Sequence, residues 1–181
     1  MKIVAFGAST SSTSINKSLA AFAASLATGA EVEILDLNDF EIPLFSEDAE
    51  MKLGQPQAAR DFLNKIKSAD AVIVSFAEHN GSYTAAYKNL FDWASRIDQK
   101  VYQDKPTVFL ATSPGAGGAG SVLAAAKASA PFFGVDLKAA VSVKSFYQAF
   151  DAETQSITDP VARAELETAV HHLTDALRVA Q

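Results

Sequence analysis

Two short segments of this chain are apolar at almost every position, and they constrain its fold most strongly. They are Ala71 to Phe76 and Thr107 to Ala111. A strand with one face in solvent alternates apolar and polar residues, whereas a strand covered on both faces does not. Apolar residues at helical spacing precede and follow each segment. The pattern therefore predicts buried strands of a parallel sheet with helices packed on both faces.

The same alternation of strands and helices extends along the rest of the chain. Further strands are predicted at Lys2 to Phe6, Glu31 to Leu37 and Val135 to Val143. Helical stripes run from Ile15 to Leu26, Phe62 to Ala69, Tyr87 to Ile97, Val122 to Ala130 and Leu166 to Leu177. This alternation predicts the α/β class, with a doubly wound five-stranded parallel sheet. The whole chain, residues 1–181, is expected to form a single domain.

One segment interrupts the alternation. Residues 38–55 are acidic and contain Pro43 and Gly54, which predicts a long surface loop. The acids of this region are expected to form a solvated face. Pro56 suits the first turn of the following helix, because proline lacks the N–H that a first-turn residue leaves without a helical partner.

The composition excludes several kinds of site and partner. None of the 181 residues is cysteine, so disulfides, thiolate metal sites and cysteine nucleophiles are excluded, and redox chemistry would need a bound cofactor. The net charge is −6 and the 15 lysines and arginines are scattered, so nucleic acid is not expected as a partner. No apolar run reaches bilayer length and no signal peptide is evident, so we expect a cytoplasmic protein without a membrane partner.

Six hydroxyl residues lie between the first strand and the first helix. Serines and threonines fill positions 9–14, directly before Ile15 and Asn16. A single serine or threonine is enough to cap a helix, so this cluster indicates a ligand. Phosphate binds to the free N–H groups of a helix N-terminus, and hydroxyl groups add further donors. Because the Gly-Lys-Ser/Thr ending of a triphosphate loop is missing, we predict a site for a monophosphate.

Glycines mark the loops after two further strands. Asn80-Gly81 predicts a tight turn whose exposed peptide groups suit the edge of a planar heterocycle; the alternative is a plain turn in which Ser82 caps the next helix. Residues 113–120 contain G-x-G-x-x-G. They are not the dinucleotide fingerprint, because they lie in the fourth strand-helix unit and Lys144, rather than an acid, follows the next strand. These glycines would let a flat ring lie against the backbone with one face open; the alternative is a flexible loop.

Taken together, the three loops resemble those of the NAD(P)H-dependent FMN reductase family of flavodoxin-like proteins, which includes quinone, azo-dye and chromate reductases. The phosphate loop of that family, G-S-x-R-x-x-S-x-N, is matched by Ser9, Ser14 and Asn16. Its second loop, P-E-Y-N-G-S followed by K-N and D-W, is matched by Glu78, Asn80, Gly81, Ser82, Lys88, Asn89, Asp92 and Trp93. Its third loop, S-P-G-x-x-G-G, resembles Ser113-Pro114-Gly115 with Gly117-Gly118. The resemblance spans the chain from Lys2 to about Val143.

Three positions differ from the family pattern. Ser11 stands where arginine is common, so the usual positive charge beside the phosphate is missing and Lys17 is the nearest cation. His79 replaces a tyrosine and Ala77 replaces a proline, so a different side chain meets the edge of the ring. Hydroxyl groups and helix N–H groups are expected to hold the phosphate without an arginine.

The resemblance implies a flavodoxin-like FMN-binding domain and an oxidoreductase that takes hydride from NADPH or NADH and passes electrons to a quinone-like acceptor by a ping-pong mechanism. It implies that FMN carries the chemistry, with no catalytic side chain and no metal, and that the chain forms a homodimer or homotetramer. The FMN-binding residues that it implies are Ser9, Ser11, Ser14, Ile15, Asn16, Glu78, His79, Asn80, Gly81, Ser113, Gly115, Gly117 and Gly118. Two alternatives stay open: a flavodoxin-type electron carrier without nicotinamide turnover, and an α/β binding protein that has lost flavin.

Overall fold

Five parallel strands form the centre of the molecule, for which a computed structural model describes the backbone of residues 1–179 and the side chains of residues 1–178. The strands, in chain order, are β1 (Lys2–Ala8), β2 (Glu31–Leu35), β3 (Ala71–Phe76), β4 (Glu78–His79), β5 (Ser82–Tyr83), β6 (Lys105–Thr112), β7 (Val135–Val143), β8 (Phe150–Asp151) and β9 (Ser156–Ile157). The α-helices are α1 (Ile15–Ser25), α2 (Glu47–Leu53), α3 (Gln57–Ser68), α4 (Ala85–Ile97), α5 (Gly120–Ser129), α6 (Phe146–Ala149) and α7 (Pro160–Val179). The central sheet has the spatial order β2-β1-β3-β6-β7, which confirms the predicted fold class.

Helices cover both faces of the central sheet. On one face, residues of α1 and α7 share one buried apolar cluster with Ile3 and Ala5 of β1. On the other face, residues of α3, α4 and α5 share a second buried apolar cluster with Val4 and Phe6 of the same strand. Successive residues of β1 therefore enter two different cores, and all four are fully buried. Burial on both faces is what the nearly continuous apolar sequences of β3 and β6 predicted.

The carboxyl ends of the central strands lie at one edge of the sheet. Pairing of β1 with β3 runs from Ile3 opposite Ala71 to Ala8 opposite Phe76. Phe76 in turn lies opposite Ala111 of β6. The chain leaves β1 for β2 on one side and returns to β3 on the other, so the strand order reverses at β1. In open α/β sheets, ligands bind at such a reversal, beyond the carboxyl ends of the strands.

Residues 38–55 contain more regular structure than the sequence suggested. β2 ends at Leu35, a 3-10 turn covers Leu37–Asp39 and a helix, α2, covers part of the supposed loop, so the prediction of one long loop was wrong. Ser46 caps α2 by accepting a hydrogen bond of 3.0 Å from a backbone N–H of the first turn. The acids in that turn stabilise the positive end of the helix. None of the residues of α2 is buried, which explains why the segment has no apolar stripe.

Two smaller boundaries also differ from the sequence prediction. β1 continues through Gly7 to Ala8 instead of ending at Phe6. Pro56 precedes α3 as an extended residue, with φ −59° and ψ 147°, and the helix begins at Gln57. Pro56 therefore lies at the cap position instead of in the first turn. Its missing N–H costs nothing there, because a residue at this position donates no hydrogen bond within the helix.

The longest helix, α7, has 20 residues. The stripe predicted between Leu166 and Leu177 is buried against the sheet. Neither α7 nor any other helix of residues 1–179 combines the length and the hydrophobicity that spanning a bilayer requires.

Candidate functional site

The predicted loops meet at the carboxyl edge of the sheet, around a cavity of about 250 Å³. Its lining includes the predicted residues Ser9, Ser11, Ser14, Ile15, Asn16, Glu78, His79 and Ser113. The predicted residues outside the lining are Asn80, Gly81, Gly115, Gly117 and Gly118. Residues that line the cavity without having been predicted are Thr13, Ala77, Thr112, Pro114 and Tyr147. The cavity therefore joins the loops that follow β1, β3 and β6, and it adds a residue from the segment after β7.

The serines and threonines at positions 9–14, which we call the hydroxyl loop, offer hydrogen-bond donors to an anion. Ser9 Oγ accepts a hydrogen bond from a backbone N–H at 3.1 Å, and Ser14 Oγ caps α1 in the same way, also at 3.1 Å. Neither hydroxyl donates to an acceptor within the described residues, so each O–H is free to donate to a ligand. The backbone N–H groups of Ile15 and Asn16 donate to no acceptor within the described residues, as is usual in the first turn of a helix. Neutral donors and a helix N-terminus together suit a phosphate group.

Asn16 has a structural function in addition to its place in the cavity. Its side-chain Nδ2 donates to the carbonyl of Thr112 at 3.1 Å, and its Oδ1 accepts from Thr112 N–H at 3.2 Å and from Ser75 Oγ at 2.7 Å. Asn16 is buried, so these bonds form away from water. The side chain therefore fastens the start of α1 to the ends of β3 and β6. Its backbone N–H is left for a ligand.

Lys17 pairs with Asp36 and does not line the cavity. Its Nζ lies 2.5 Å from Asp36 Oδ2, at the end of β2. The ammonium of Lys17, together with the N–H groups of Asn38, holds the pKa of the Asp36 carboxyl below its usual value. Within the described residues, no lysine or arginine lines the cavity, and the ionisable side chains in its lining are Glu78, His79 and Tyr147. An anion bound here would be held mainly by neutral groups.

The loop after β3 forms a tight hairpin. β4 and β5 pair in antiparallel fashion, and Asn80 and Gly81 connect them with φ angles of 52° and 77°. Two successive positive φ angles are typical of the turn that an Asn-Gly pair favours. Thr84, rather than Ser82, caps α4 by accepting a hydrogen bond from Tyr87 N–H at 3.3 Å. The tight turn is confirmed, and the alternative in which Ser82 caps the helix was wrong.

Glu78 connects this hairpin to α5. The residue before α5 is Ala119, which has a left-handed φ of 57° and no side chain able to cap the helix. Glu78 supplies the missing acceptor, since its Oε2 accepts a hydrogen bond from Val122 N–H at 2.9 Å. A carboxylate at this position also stabilises the positive end of the helix. Glu78 thus holds the second and third loops together at one wall of the cavity.

The glycines of the third loop differ in what they permit. A side chain at Gly118, where φ is 58°, would collide with Ser142 Oγ of β7, so this glycine is required for packing. A Cβ atom at Gly115 or Gly117 would meet nothing within 4 Å. One side of the loop is therefore open, as the sequence predicted for a flat ring. Whether these residues contact a ring stays a prediction.

Tyr147 is an exposed aromatic side chain in the lining of the cavity, and the sequence reasoning missed it. Two hydrogen bonds hold the start of α6 against the third loop: Ser145 N–H donates to Gly115 O at 3.0 Å, and Phe146 N–H donates to Ser113 O at 3.1 Å. Phe146 is buried, which leaves the next residue, Tyr147, 70% exposed beside the cavity. An aromatic pair directly after a strand end was the signal that could have identified it.

Comparison with known protein families shows which family the chain belongs to. A sequence model described as NADPH-dependent FMN reductase matches residues 1–148. The chain belongs to this family. The family uses FMN with NAD(P)H as electron donor, so its members are FMN-dependent oxidoreductases.

Individual relatives agree with this family. The chain is similar to the NAD(P)H-dependent FMN reductase PA1204 of Pseudomonas aeruginosa, with 32% identity over 133 residues, 72% of this chain and 70% of that protein. It is similar to a 2-hydroxy-1,4-benzoquinone reductase of a Burkholderia species, with 37% identity over 105 residues, but this match spans only 55% of that protein. Among solved structures, the flavoenzyme FerB of Paracoccus denitrificans superposes with a TM-score of 0.80 and 26% identity, over 98% of this chain and 97% of that chain.

The donor set of the cavity fits the FMN of this family. FMN carries a phosphate at one end and a planar ring with several hydrogen-bonding edge atoms at the other. The hydroxyl loop and the first turn of α1 supply donors for a phosphate, and Glu78, His79 and Ser113 of the second and third loops supply polar groups for the edge of a ring. In a cofactor enzyme of this kind, the protein contributes binding and orientation.

Proposed function

We propose that this FMN reductase family member oxidises NADPH or NADH and reduces a small quinone-like acceptor, with residues 1–181 forming one flavodoxin-like FMN-binding domain. The observation that carries the proposal is the meeting of three strand-end loops around one cavity that offers neutral donors beside the start of α1. When bound, FMN supplies the chemistry for hydride and electron transfer. The chain binds and orients the reactants, and no side chain is required to act as an acid or base.

The proposed contacts divide the loops between the two ends of FMN. Ser9, Ser11 and Ser14 donate their hydroxyl groups to the phosphate, together with the N–H groups of Ile15 and Asn16. The ring is held by residues of the second and third loops, namely Glu78, His79, Asn80, Gly81, Ser113, Gly115, Gly117 and Gly118. Glu78 supports this arrangement because it already fixes the two loops to each other. The open side of the third loop is where a second reactant can approach.

The names of relatives and the open third loop support the choice of a quinone-like electron acceptor. Relatives of this chain are named quinone reductases, and a quinone is a flat molecule that an open, glycine-lined surface admits. If the donor and the acceptor use the same open side in turn, the reaction follows a ping-pong scheme. The physiological acceptor would then be a small flat electron acceptor.

Steady-state kinetics of the FMN-loaded protein test this proposal. With NADPH or NADH as donor and a benzoquinone as acceptor, we expect parallel lines in double-reciprocal plots, because the two reactants never bind together. Rapid mixing with NADPH alone should bleach the flavin absorption at a rate that supports turnover. Intersecting lines would contradict the ping-pong scheme. Bleaching too slow for turnover would favour the electron carrier, and a protein that binds no FMN would favour the flavin-free binding protein.

Ser11→Arg is expected to strengthen FMN binding about ten-fold at low salt, because a guanidinium adds charge-assisted hydrogen bonds to a phosphate site that lacks a cation. The gain should shrink at high salt, since Ser11 is exposed. Dissociation constants for FMN and riboflavin, measured by fluorescence quenching, check this, and the riboflavin value should not change. Ser12→Arg is the matched control, because Ser12 is exposed but does not line the cavity. An equal gain in both variants would contradict a phosphate at Ser11.

The chain is also proposed to form a homodimer or homotetramer, supported by exposed apolar residues near α2. Leu44 is 80% exposed and Met51 is 79% exposed. The segment that carries them is held in place by α4, since Trp93 Nε1 donates to Pro43 O at 2.7 Å and Arg96 Nε pairs with Glu50 at 2.9 Å. Apolar side chains displayed on a fixed segment are typical of an interface.

Sedimentation velocity tests this assembly. The wild-type protein should sediment as a dimer or tetramer, and the double variant Leu44→Asp, Met51→Asp should sediment as a monomer. Val161→Asp is the control, because Val161 is an exposed apolar residue of α7, 66% exposed and far from α2 in the chain. A monomeric wild-type protein would contradict the proposal.

A further inference from the structure

A second cavity, of about 200 Å³, lies between α4, α5 and the central sheet. It shares no lining residue with the cavity at the strand ends. Half of its lining residues are aromatic, among them Phe76, Tyr87, Phe91, Tyr102 and Phe109. We refer to it as the aromatic cavity.

The size and lining of the aromatic cavity favour a single ring. Apolar cavities of about 150 Å³ in proteins bind benzene, so 200 Å³ leaves room for one ring with a short substituent. Three fused rings, as in a flavin, would not fit. The wall aromatics meet edge to face, with ring centroids 5.5 Å apart for Phe76 and Tyr87 and 5.1 Å apart for Phe76 and Phe109. A further aromatic ring would extend this arrangement.

Two tyrosine residues that line the aromatic cavity carry hydroxyl groups that form a polar pair. The hydroxyl oxygens of Tyr87 and Tyr102 lie 2.8 Å apart, and both side chains are buried. Burial raises the pKa of Tyr87 and of Tyr102, so both phenols stay protonated. The pair therefore holds two O–H groups, of which the mutual hydrogen bond uses only one. Within residues 1–178 the second O–H has no acceptor, and a buried donor without a partner costs free energy.

The mouth of the aromatic cavity is polar. Lys88 and Asp92, one turn apart on α4, line the cavity and form an ion pair at 2.7 Å. Ser95 and Ser129 also line it. An apolar interior with a few polar groups at fixed places is the usual form of a small-molecule site.

We propose that the aromatic cavity binds a monocyclic aromatic compound with one hydrogen-bond acceptor, such as an aryl ketone or aldehyde. The free O–H of the Tyr87 and Tyr102 pair donates a hydrogen bond to that acceptor. The ring fills the space between the aromatic walls, and the acceptor removes the cost of the unpaired donor. The site is separate from the FMN-binding loops and does not depend on the proposed function.

Acetophenone is a suitable probe, and calorimetric titration of the full chain, with and without saturating FMN, measures its binding. Ala126 of α5 is buried and lines the cavity, so Ala126→Leu should fill the space and weaken acetophenone binding at least ten-fold. Ala125 is its exposed neighbour, and Ala125→Leu should leave binding unchanged. Absence of binding to the wild type, or equal binding by the Ala126→Leu variant, would overturn the proposal.

The hydroxyl pair is tested by the double variant Tyr87→Phe, Tyr102→Phe, which removes both partners of a hydrogen bond and so should fold normally. Acetophenone should bind about five-fold more weakly to this variant, since one hydrogen bond to the ligand is lost. Isopropylbenzene has the same heavy-atom skeleton without the acceptor, and its affinity should not fall. Equal losses for the two probes would overturn the assigned hydrogen bond, and displacement of FMN by acetophenone would overturn the separate site.

Discussion

Gly7→Ala is expected to destabilise the protein by about 3 kcal/mol or more, because there is no space for a side chain at this position. A Cβ atom on Gly7 would lie 2.7 Å from Lys17 Cα and 2.8 Å from the carbonyl carbon of Asn16, and it would also overlap Lys17 N. All three atoms belong to the backbone of α1, so no side-chain rotation relieves the overlap. Either α1 moves away from β1 or the strand bends.

Urea denaturation of the two proteins measures this effect as a lower midpoint with an unchanged slope. Gly115→Ala is the matched control, because a Cβ atom there would meet nothing within 4 Å. We expect that control to change the free energy of unfolding by less than about 1 kcal/mol. Since Gly7 lies directly before the hydroxyl loop, Gly7→Ala should also weaken FMN binding. A Gly7→Ala variant as stable as the control would show that α1 has room to shift.

Asn16→Ala is expected to cost about 3 kcal/mol of unfolding free energy, because it removes a side chain that makes three buried hydrogen bonds. The N–H and carbonyl of Thr112 and the hydroxyl of Ser75 would then lose their partner in a dry place. A buried polar group that is left without a hydrogen-bond partner lowers the free energy of unfolding more than an apolar group at the same place would.

The control for Asn16 is Asn38→Ala, since the Asn38 amide also bonds to the chain but is exposed to water. We expect that change to cost less than about 1 kcal/mol. Chemical denaturation gives both values, and fluorescence titration gives the loss of FMN affinity that accompanies a displaced α1. Equal costs for the two variants would contradict the role of Asn16 as the connection between α1, β3 and β6.

The strands were predictable because burial on two faces leaves a local sequence pattern. The bounds of β3 and β7 agree with the predicted Ala71 to Phe76 and Val135 to Val143. The missed helix, α2, has no buried face, so its formation depends on the cap at Ser46 and on helix-end charges instead of on apolar spacing. Patterns of hydrophobicity do not report such a helix.

The candidate site was predictable at the level of loops but not of contacts. Six adjacent hydroxyl residues are visible in the sequence, and so is an Asn-Gly turn. The bond from Asn16 to Thr112 joins residues 96 positions apart, and the bond from Val122 to Glu78 joins residues 44 positions apart. Such partners are set by the order and register of the strands, which a single sequence does not display. The direction of Lys17 depends in the same way on the neighbouring β2.

The carboxylate of Glu78 makes the two helix N-termini at the edge of the sheet electrostatically different. α5 begins with a negative charge already on its N-terminal N–H groups, whereas α1 begins with the neutral Ser14. A second anion near α5 would be repelled, and the same anion near α1 would be attracted. An elongated ligand with one anionic end would therefore be expected to bind with that end at α1 and its other end toward α5.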